Sequence, residues 1–299
     1  MHRFVIAIIV SAIWLASTSP YSGARQQDTK VTVDVRGQNR TAWLHVPSNF
    51  DHSQEYPLVV GYHGGAGNAR GYIEQSQLFV KGERAGFIVV CPEGTPVPGV
   101  GDRQVWNSGA EYAASSRNAD DVQFTVELID RISSIYPVDS TRIYATGFSN
   151  GAQMTYRLAA ELSDRIAAIA AMSGGRAAGA RRPARPVPIL HIHGMADTVY
   201  PLEGGLGSDS LGRVPQVAIS NVIAEWSRFD GARLVPQITQ HDGWEMRLHA
   251  GPAPVELILV KGMGHQISGG LDDHLPGQPL KSSPDAIDLA LKFFAEHSL

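Results

Sequence analysis

Apolar positions in this chain fall into short runs separated by longer amphipathic stretches. The first two runs, Val31-Thr32-Val33-Asp34-Val35 and Thr41-Ala42-Trp43-Leu44-His45-Val46, alternate apolar and polar residues around Arg36-Gly37-Gln38-Asn39-Arg40. Period-two alternation across a Gly-containing polar break predicts an antiparallel hairpin. Beyond it the period changes repeatedly. Apolar Leu58-Val59-Val60 precedes a helix-like stretch over 73–85, and apolar Phe87-Ile88-Val89-Val90 precedes another over 120–135. Strand-like Ile143-Tyr144-Ala145-Thr146 leads into a helix-forming segment after Ser149, and the apolar run 166–172 follows. Val187-Pro188-Ile189-Leu190-His191-Ile192-His193, a helix over 217–229, a strand over 255–260 and a helix over 283–296 complete the series. Ser283 and Pro284 have the residue types of an N-cap and a first helical position.

Strands alternating with helices indicate an α/β fold, and continuous apolar strands indicate burial on both faces. The expected architecture is a mostly parallel central sheet with helices on both faces and an N-terminal antiparallel hairpin. On such sheets ligands bind beyond the carboxyl ends of the strands. Gly-rich loops over 92–118 and 201–214 are candidates for the walls of a cleft.

Composition narrows this picture. With 299 residues and 43% apolar content, the chain has enough material for one substantial core. Residues 1–24 read separately: His2-Arg3, an apolar run over 4–16 and the small residues Ser22-Gly23-Ala24 form a signal-peptide pattern, with cleavage expected after Ala24. The apolar run is shorter than the ~20 residues of a membrane-spanning helix. The expectation is therefore a single domain over 25–299, exported to the extracellular space or periplasm, with no stable membrane insertion after cleavage. Cys91 is the sole cysteine and ends an apolar run, so a buried strand thiol is expected and no internal disulfide. A net charge of −4 without a dense basic stripe argues against nucleic acid as a partner. The one basic concentration, Arg181-Arg182-Pro183-Ala184-Arg185, reads as a solvated loop.

The candidate chemistry begins at Gly147-Phe148-Ser149-Asn150-Gly151, a G-x-S-x-G sequence between a strand-like and a helix-like segment. That context predicts a nucleophile elbow exposing Ser149, with glycines where a Cβ would collide in the tight turn. A serine needs a base, and the base an orienting acid. Asp197 follows the strand ending at His193, and His265 follows the strand over 255–260 through Gly262-Met263-Gly264. This gives the order Ser, Asp, His along one sheet edge. Glu203 and Asp209 are rivals for the acid; His241, His249 and His274 are rivals for the base. The oxyanion hole would use the N–H of Asn150 and one from the loop Tyr62-His63-Gly64-Gly65-Ala66-Gly67-Asn68, with Gly65 preferred and Gly64 the alternative. That loop lacks the spacing of a phosphate-binding loop.

Other groups admit two readings. His191 and His193 share one strand face, as metal ligands or as a brace for the acid loop. Asp120-Asp121 suits a helix N-terminus. Trp106, in Trp106-Asn107-Ser108-Gly109, is either a wall of the substrate site or an ordinary packing residue, and His63 is a further candidate for the substrate site.

Together, Tyr62-His63-Gly64-Gly65, Trp106-Asn107, Asp120-Asp121-Val122, Gly147-Phe148-Ser149-Asn150-Gly151-Ala152, His193-Gly194-Met195-Ala196-Asp197 and Gly264-His265 resemble the secreted polyhydroxybutyrate depolymerase and feruloyl esterase group of α/β-hydrolases. The resemblance implies an α/β-hydrolase fold, Ser149 as nucleophile, Asp197 as acid, His265 as base, and an oxyanion hole from Asn150 and the His63-Gly64-Gly65 loop. Cys91-Pro92-Glu93-Gly94 stands where many relatives look like Tyr-Pro-Asp-Gly, and the bracing cysteines and appended polymer-adhering domain of some relatives are absent. Those departures favour small or soluble esters over solid polymer. The expected function is a serine carboxylic ester hydrolase working through an acyl-enzyme on Ser149, with no metal or organic cofactor. Its substrate would be a hydroxyacid oligoester or an acylated polysaccharide fragment. The competing expectations are a peptidase of the same fold and a non-catalytic carbohydrate-binding member.

Overall fold

The hairpin at the N-terminus has the short turn its composition favours. In the computed structural model, β1 (Thr29–Val35) pairs antiparallel with β2 (Gln38–His45), and Val35 faces Gln38. Only Arg36 and Gly37 remain in the turn, both at positive φ (53° and 84°), the conformation that matches the twist of two flanking strands. The structure describes residues 28–99, 101–109, 118–177, 181–210, 214–272, 275–279 and 284–299. The expected signal peptide, Ser283 and His274 lie outside them.

The chain continues through β3 (Tyr56–Tyr62), α1 (Ala69–Ser76), α2 (Leu78–Ala85) and β4 (Ile88–Pro92). Two short strands, β5 (Thr95–Pro96) and β6 (Gln104–Val105), form a small ribbon before α3 (Asp121–Ser133), β7 (Val138–Phe148), α4 (Asn150–Glu161) and β8 (Ala168–Met172). Then come β9 (Ile189–Gly194), α5 (Ile219–Phe229), β10 (Gln237–His241), β11 (Trp244–His249), β12 (Val255–Val260), the ribbon β13 (Leu271–Asp272) with β14 (Leu275–Pro279), and α6 (Ala286–Ala295).

Ten strands form one sheet in the order β1-β2-β4-β3-β7-β8-β9-β12-β11-β10. The six from β4 to β12 run parallel, and antiparallel pairs flank them on both sides. Alternate residues of β3 serve opposite faces. Leu58, Val60 and Tyr62 pack with Phe124, Leu128, Tyr156 and Trp226 from α3, α4 and α5. Val59 packs with Tyr72, Phe79 and Phe294 from α1, α2 and α6. The mostly parallel sheet with helices on both faces and the N-terminal hairpin are thus present as expected.

Three expectations change. The helix predicted over 73–85 is two helices, because Gln77 adopts φ 57° and breaks the helical path. The last helix is capped by Asp285, whose side chain accepts from the N–H groups of Ile287 (3.1 Å) and Asp288 (3.0 Å). Cys91 is fully buried, as its apolar run implies. Arg185 is anchored rather than solvated, donating to the carbonyls of Ser163, Pro186 and Ile166.

Candidate active site

Strand β7 ends at Phe148 and α4 begins at Asn150, so a single residue, Ser149, makes the turn. It adopts φ 55°, ψ −118°, a strained conformation for a residue with a Cβ. The turn is tight because its flanks are bare. A Cβ on Gly147 would lie 2.5 Å from the Gly151 carbonyl oxygen, and one on Gly151 would lie 2.2 Å from that of Tyr62. Ser149 N–H donates to the Met172 carbonyl (2.8 Å), fixing the elbow to β8.

Parallel strands deliver the other two residues to the same sheet edge. Asp197 follows β9 and His265 follows β12, and those strands pair directly. His265 Nδ1 is 2.8 Å from Asp197 Oδ2, and His265 Nε2 is 2.9 Å from Ser149 Oγ. The other carboxylate oxygen of Asp197 accepts from the N–H groups of Val199 (2.9 Å) and Tyr200 (2.8 Å), which leaves Oδ2 for the histidine. Asp197 has a fully buried side chain, whereas that of His265 is 15% exposed, so solvent reaches the base and not the acid. Phe148 packs against the His265 ring at 4.9 Å, and the Ser173 hydroxyl donates to the Gln266 carbonyl (3.3 Å).

The rivals among the described residues, Glu203, Asp209, His241 and His249, make no hydrogen bond to this cluster. Glu203 is exposed, and Asp209 accepts from the Thr198 hydroxyl (2.7 Å). His241 stacks on Trp244, and His249 bonds the Arg233 carbonyl.

The glycine loop after β3 lies against the elbow. A Cβ on Gly64 would come within 2.9 Å of the Phe148 ring, and Ala66 and Gly67 are tied to Gln104 of β6. Asn150 stands at the first position of α4, where a backbone N–H has no intrahelical acceptor. Its side chain is occupied elsewhere: Oδ1 accepts from Trp106 N–H (2.7 Å), and Nδ2 donates to the Ser108 hydroxyl (3.1 Å) and the Trp106 carbonyl (3.3 Å).

Trp106 and His63, candidates for the wall of the substrate site, are buried side chains. They are 0% and 1% exposed. Trp106 Nε1 donates to the His63 carbonyl (2.9 Å), and the two rings pack at 4.7 Å. His63 bonds the Gly64 carbonyl through Nδ1 (2.8 Å) and accepts from Gly94 N–H through Nε2 (3.1 Å). Burial lowers its pKa to about 4, so it is neutral at pH 7. Both side chains therefore stiffen the loop carrying Gly64 and Gly65 from behind.

Asp121 is a residue whose part the sequence reading missed. Asp120 caps α3, accepting from Gln123 N–H (3.1 Å), while Asp121 is fully buried. It accepts from Arg40 (2.9 Å) and from Asn107 N–H (2.7 Å), and Arg157 donates to the Asn107 carbonyl (2.5 Å). The segment 106–108 is thus clamped from two sides. A second acid beside one sufficient cap was the available signal.

His191 and His193 share a face, as alternation predicted, and bond each other (3.2 Å). Among the described residues no group of three or more His, Cys, Asp or Glu side chains could hold a metal ion, and no helix is long and apolar enough to cross a membrane.

The parallel sheet, its two helical layers and the residues gathered at its carboxyl edge define an α/β-hydrolase fold. The acetyl xylan esterase from Aspergillus awamori has this architecture too: it superimposes with a TM-score of 0.64 at 18% identity, over 89% of this chain and 99% of that one. Residues 43–224 match the family model described as Esterase PHB depolymerase, and the chain belongs to that family. Feruloyl esterase B from Piromyces equi is 34% identical over 239 residues, and a bifunctional acetylxylan esterase/xylanase from Neocallimastix patriciarum is 30% identical over 164 residues. The matches take in 77% and 55% of this chain but only 43% and 22% of those two proteins.

Proposed function

We propose that the protein is an exported serine carboxylic ester hydrolase with Ser149 as nucleophile, His265 as general base and acid, and Asp197 as the group that orients and stabilises His265. One observation carries this reading: Ser149, His265 and Asp197 are linked by successive hydrogen bonds of 2.9 and 2.8 Å. In this arrangement Asp197 accepts the Nδ1 hydrogen of His265, leaving Nε2 as a lone pair facing the serine hydroxyl. As Ser149 Oγ bonds to the ester carbonyl carbon, its proton passes to Nε2. The carbonyl electrons collect on oxygen, where the N–H groups of Asn150 and Gly65 are the proposed donors. When the intermediate collapses, the C–O bond to the alcohol breaks and Nε2 returns the proton to the leaving oxygen. Water, deprotonated by the same nitrogen, then attacks the acyl-enzyme, and the released serine regains its proton.

The proposed substrates are soluble acyl esters: feruloyl or acetyl groups on polysaccharide fragments, or hydroxyacid oligoesters. Membership of the Esterase PHB depolymerase family and similarity to feruloyl and acetylxylan esterases support this class. Ser149→Ala should reduce p-nitrophenyl acetate hydrolysis by at least about 10⁴-fold while the circular dichroism spectrum stays native. Activity within tenfold of the parent would sink the assignment. A panel of feruloyl, acetyl and hydroxybutyrate esters at equal concentration separates the acyl preferences.

A further inference from the structure

Acyl transfer uses one histidine, yet two more are buried beneath the acid turn. His191 and His193 stack at 5.4 Å with their planes 14° apart. His193 Nε2 lies 2.9 Å from the Tyr200 carbonyl oxygen, His193 Nδ1 lies 3.2 Å from His191 Nε2, and His191 Nδ1 lies 2.9 Å from the Tyr156 hydroxyl. A carbonyl oxygen only accepts, so His193 carries its hydrogen on Nε2. Both rings are fully buried, and burial lowers their pKa values, His191 well below the usual histidine range, which keeps each ring neutral with one hydrogen. His193 Nδ1 therefore accepts from His191 Nε2–H, and His191 Nδ1 accepts from Tyr156. Every donor in the series is determined by the carbonyl at its end.

The two ends of this series lie on different parts of the site. Tyr156 belongs to α4, the helix that starts at the elbow. Tyr200 belongs to the acid turn, and its own N–H donates to Asp197 Oδ1 (2.8 Å). His193 Nε2 also lies 3.7 Å from Asp197 Oδ2.

We propose that His193 is a positioning residue: held in its Nε2-protonated tautomer by His191 and Tyr156, it fixes the 197–200 turn against the nucleophile's helix, so that Asp197 keeps one oxygen on His265. This rests on the reading of Ser149, His265 and Asp197 as a catalytic triad. Without the His193 donor the buried Tyr200 carbonyl loses its one hydrogen-bond partner among the described residues, and the Tyr200 backbone shifts toward another donor. The shift of the Tyr200 backbone draws the Tyr200 N–H, on the preceding peptide, away from Asp197, whose carboxylate loses its fixed direction. Stabilisation of the His265 imidazolium belongs to the transition state, so kcat falls while KM holds.

The test compares the full-length parent with Ser149→Ala, His193→Phe, His193→Gln and Tyr156→Phe. It reads kcat and KM for p-nitrophenyl acetate, and the far-downfield proton NMR signal of the His265–Asp197 hydrogen bond. His193→Phe should lower kcat by about 10–100-fold with KM within about twofold, and should shift or remove the signal. His193→Gln, whose amide N–H can take the Nε2 place, should recover most of kcat and the signal. Tyr156→Phe, which removes the first donor, should lower kcat by a smaller factor and broaden the signal. Parent kcat and an unchanged signal in His193→Phe would overturn the proposal, as would equal losses in the Phe and Gln variants. If His193→Phe does not fold, parent kcat and signal in Tyr156→Phe would overturn it. Hydrolysis surviving in Ser149→Ala would instead remove the triad reading itself.

Discussion

At Ser149 and Asp230 the chain holds two groups in states that an isolated residue avoids. The elbow strain is compensated by the Met172 bond and by two glycines whose backbones abut their neighbours. Asp230 is 1% exposed; one carboxylate oxygen accepts from Val187 N–H (2.9 Å), and among the described residues the other has no hydrogen-bond partner. Burial pushes its pKa up to about 7, against about 4 in an unfolded chain. The folded form therefore holds its proton more tightly. The stability this contributes is complete below about pH 4 and is lost as pH rises through about 7. Asp230→Asn keeps the acceptor for Val187 without the charge. Its Tm should exceed the parent's by at least about 2 °C at pH 8, with the advantage vanishing near pH 4. A parent that is the more stable at pH 8 would contradict this. The meeting of Ser149, Asp197 and His265 at one sheet edge could be read from the chain, because the G-x-S-x-G turn and two later strand ends follow from the alternation of strands and helices. Trp106 and His63 could not, since sequence places a residue in a loop without saying which way its side chain points.

Helices show a similar division between pattern and detail. Apolar periodicity carried across 73–85 because Gln77 is an ordinary helix former, so nothing local announces its left-handed φ of 57°. Both α1 and α2 pack on the same sheet face. Asp285 illustrates capping joined to a long-range contact. It caps α6 and also receives Lys81 Nζ at 2.6 Å, the lysine side chain being only 4% exposed. Composition favoured Ser283-Pro284 for the cap, and the lysine partner, 204 positions away in sequence, left no local trace. Asp285→Ala should cost about 4 kcal/mol in urea unfolding, from a lost cap of about 1 kcal/mol and a stranded buried cation of about 3 kcal/mol. Asp285→Asn should cost less, because its amide oxygen still caps the helix. Equal losses would contradict the capping part.

Across the whole molecule, adjacent parallel strands β7, β8, β9 and β12 convert distances of 116 and 68 residues along the chain into hydrogen bonds at one edge. The same core buries His63, His191 and His193 with lowered pKa values. In their case the unfolded chain binds more protons, so the stability gained from holding them neutral is full above about pH 6.5. It declines as pH falls below that value, and for His63 the decline continues to about pH 4. The urea midpoint should therefore drop steadily from pH 7 to pH 5, opposite in sign to the Asp230 contribution; a midpoint rising over that interval would contradict the assignment of neutral buried rings. The central claim, an activated Ser149 at the edge of this sheet, is tested most directly by intact-mass and peptide mapping after exposure to a fluorophosphonate. The account predicts one adduct per chain, on Ser149, formed far more slowly in His265→Ala. No adduct on the folded protein, or an adduct on another residue, would contradict it.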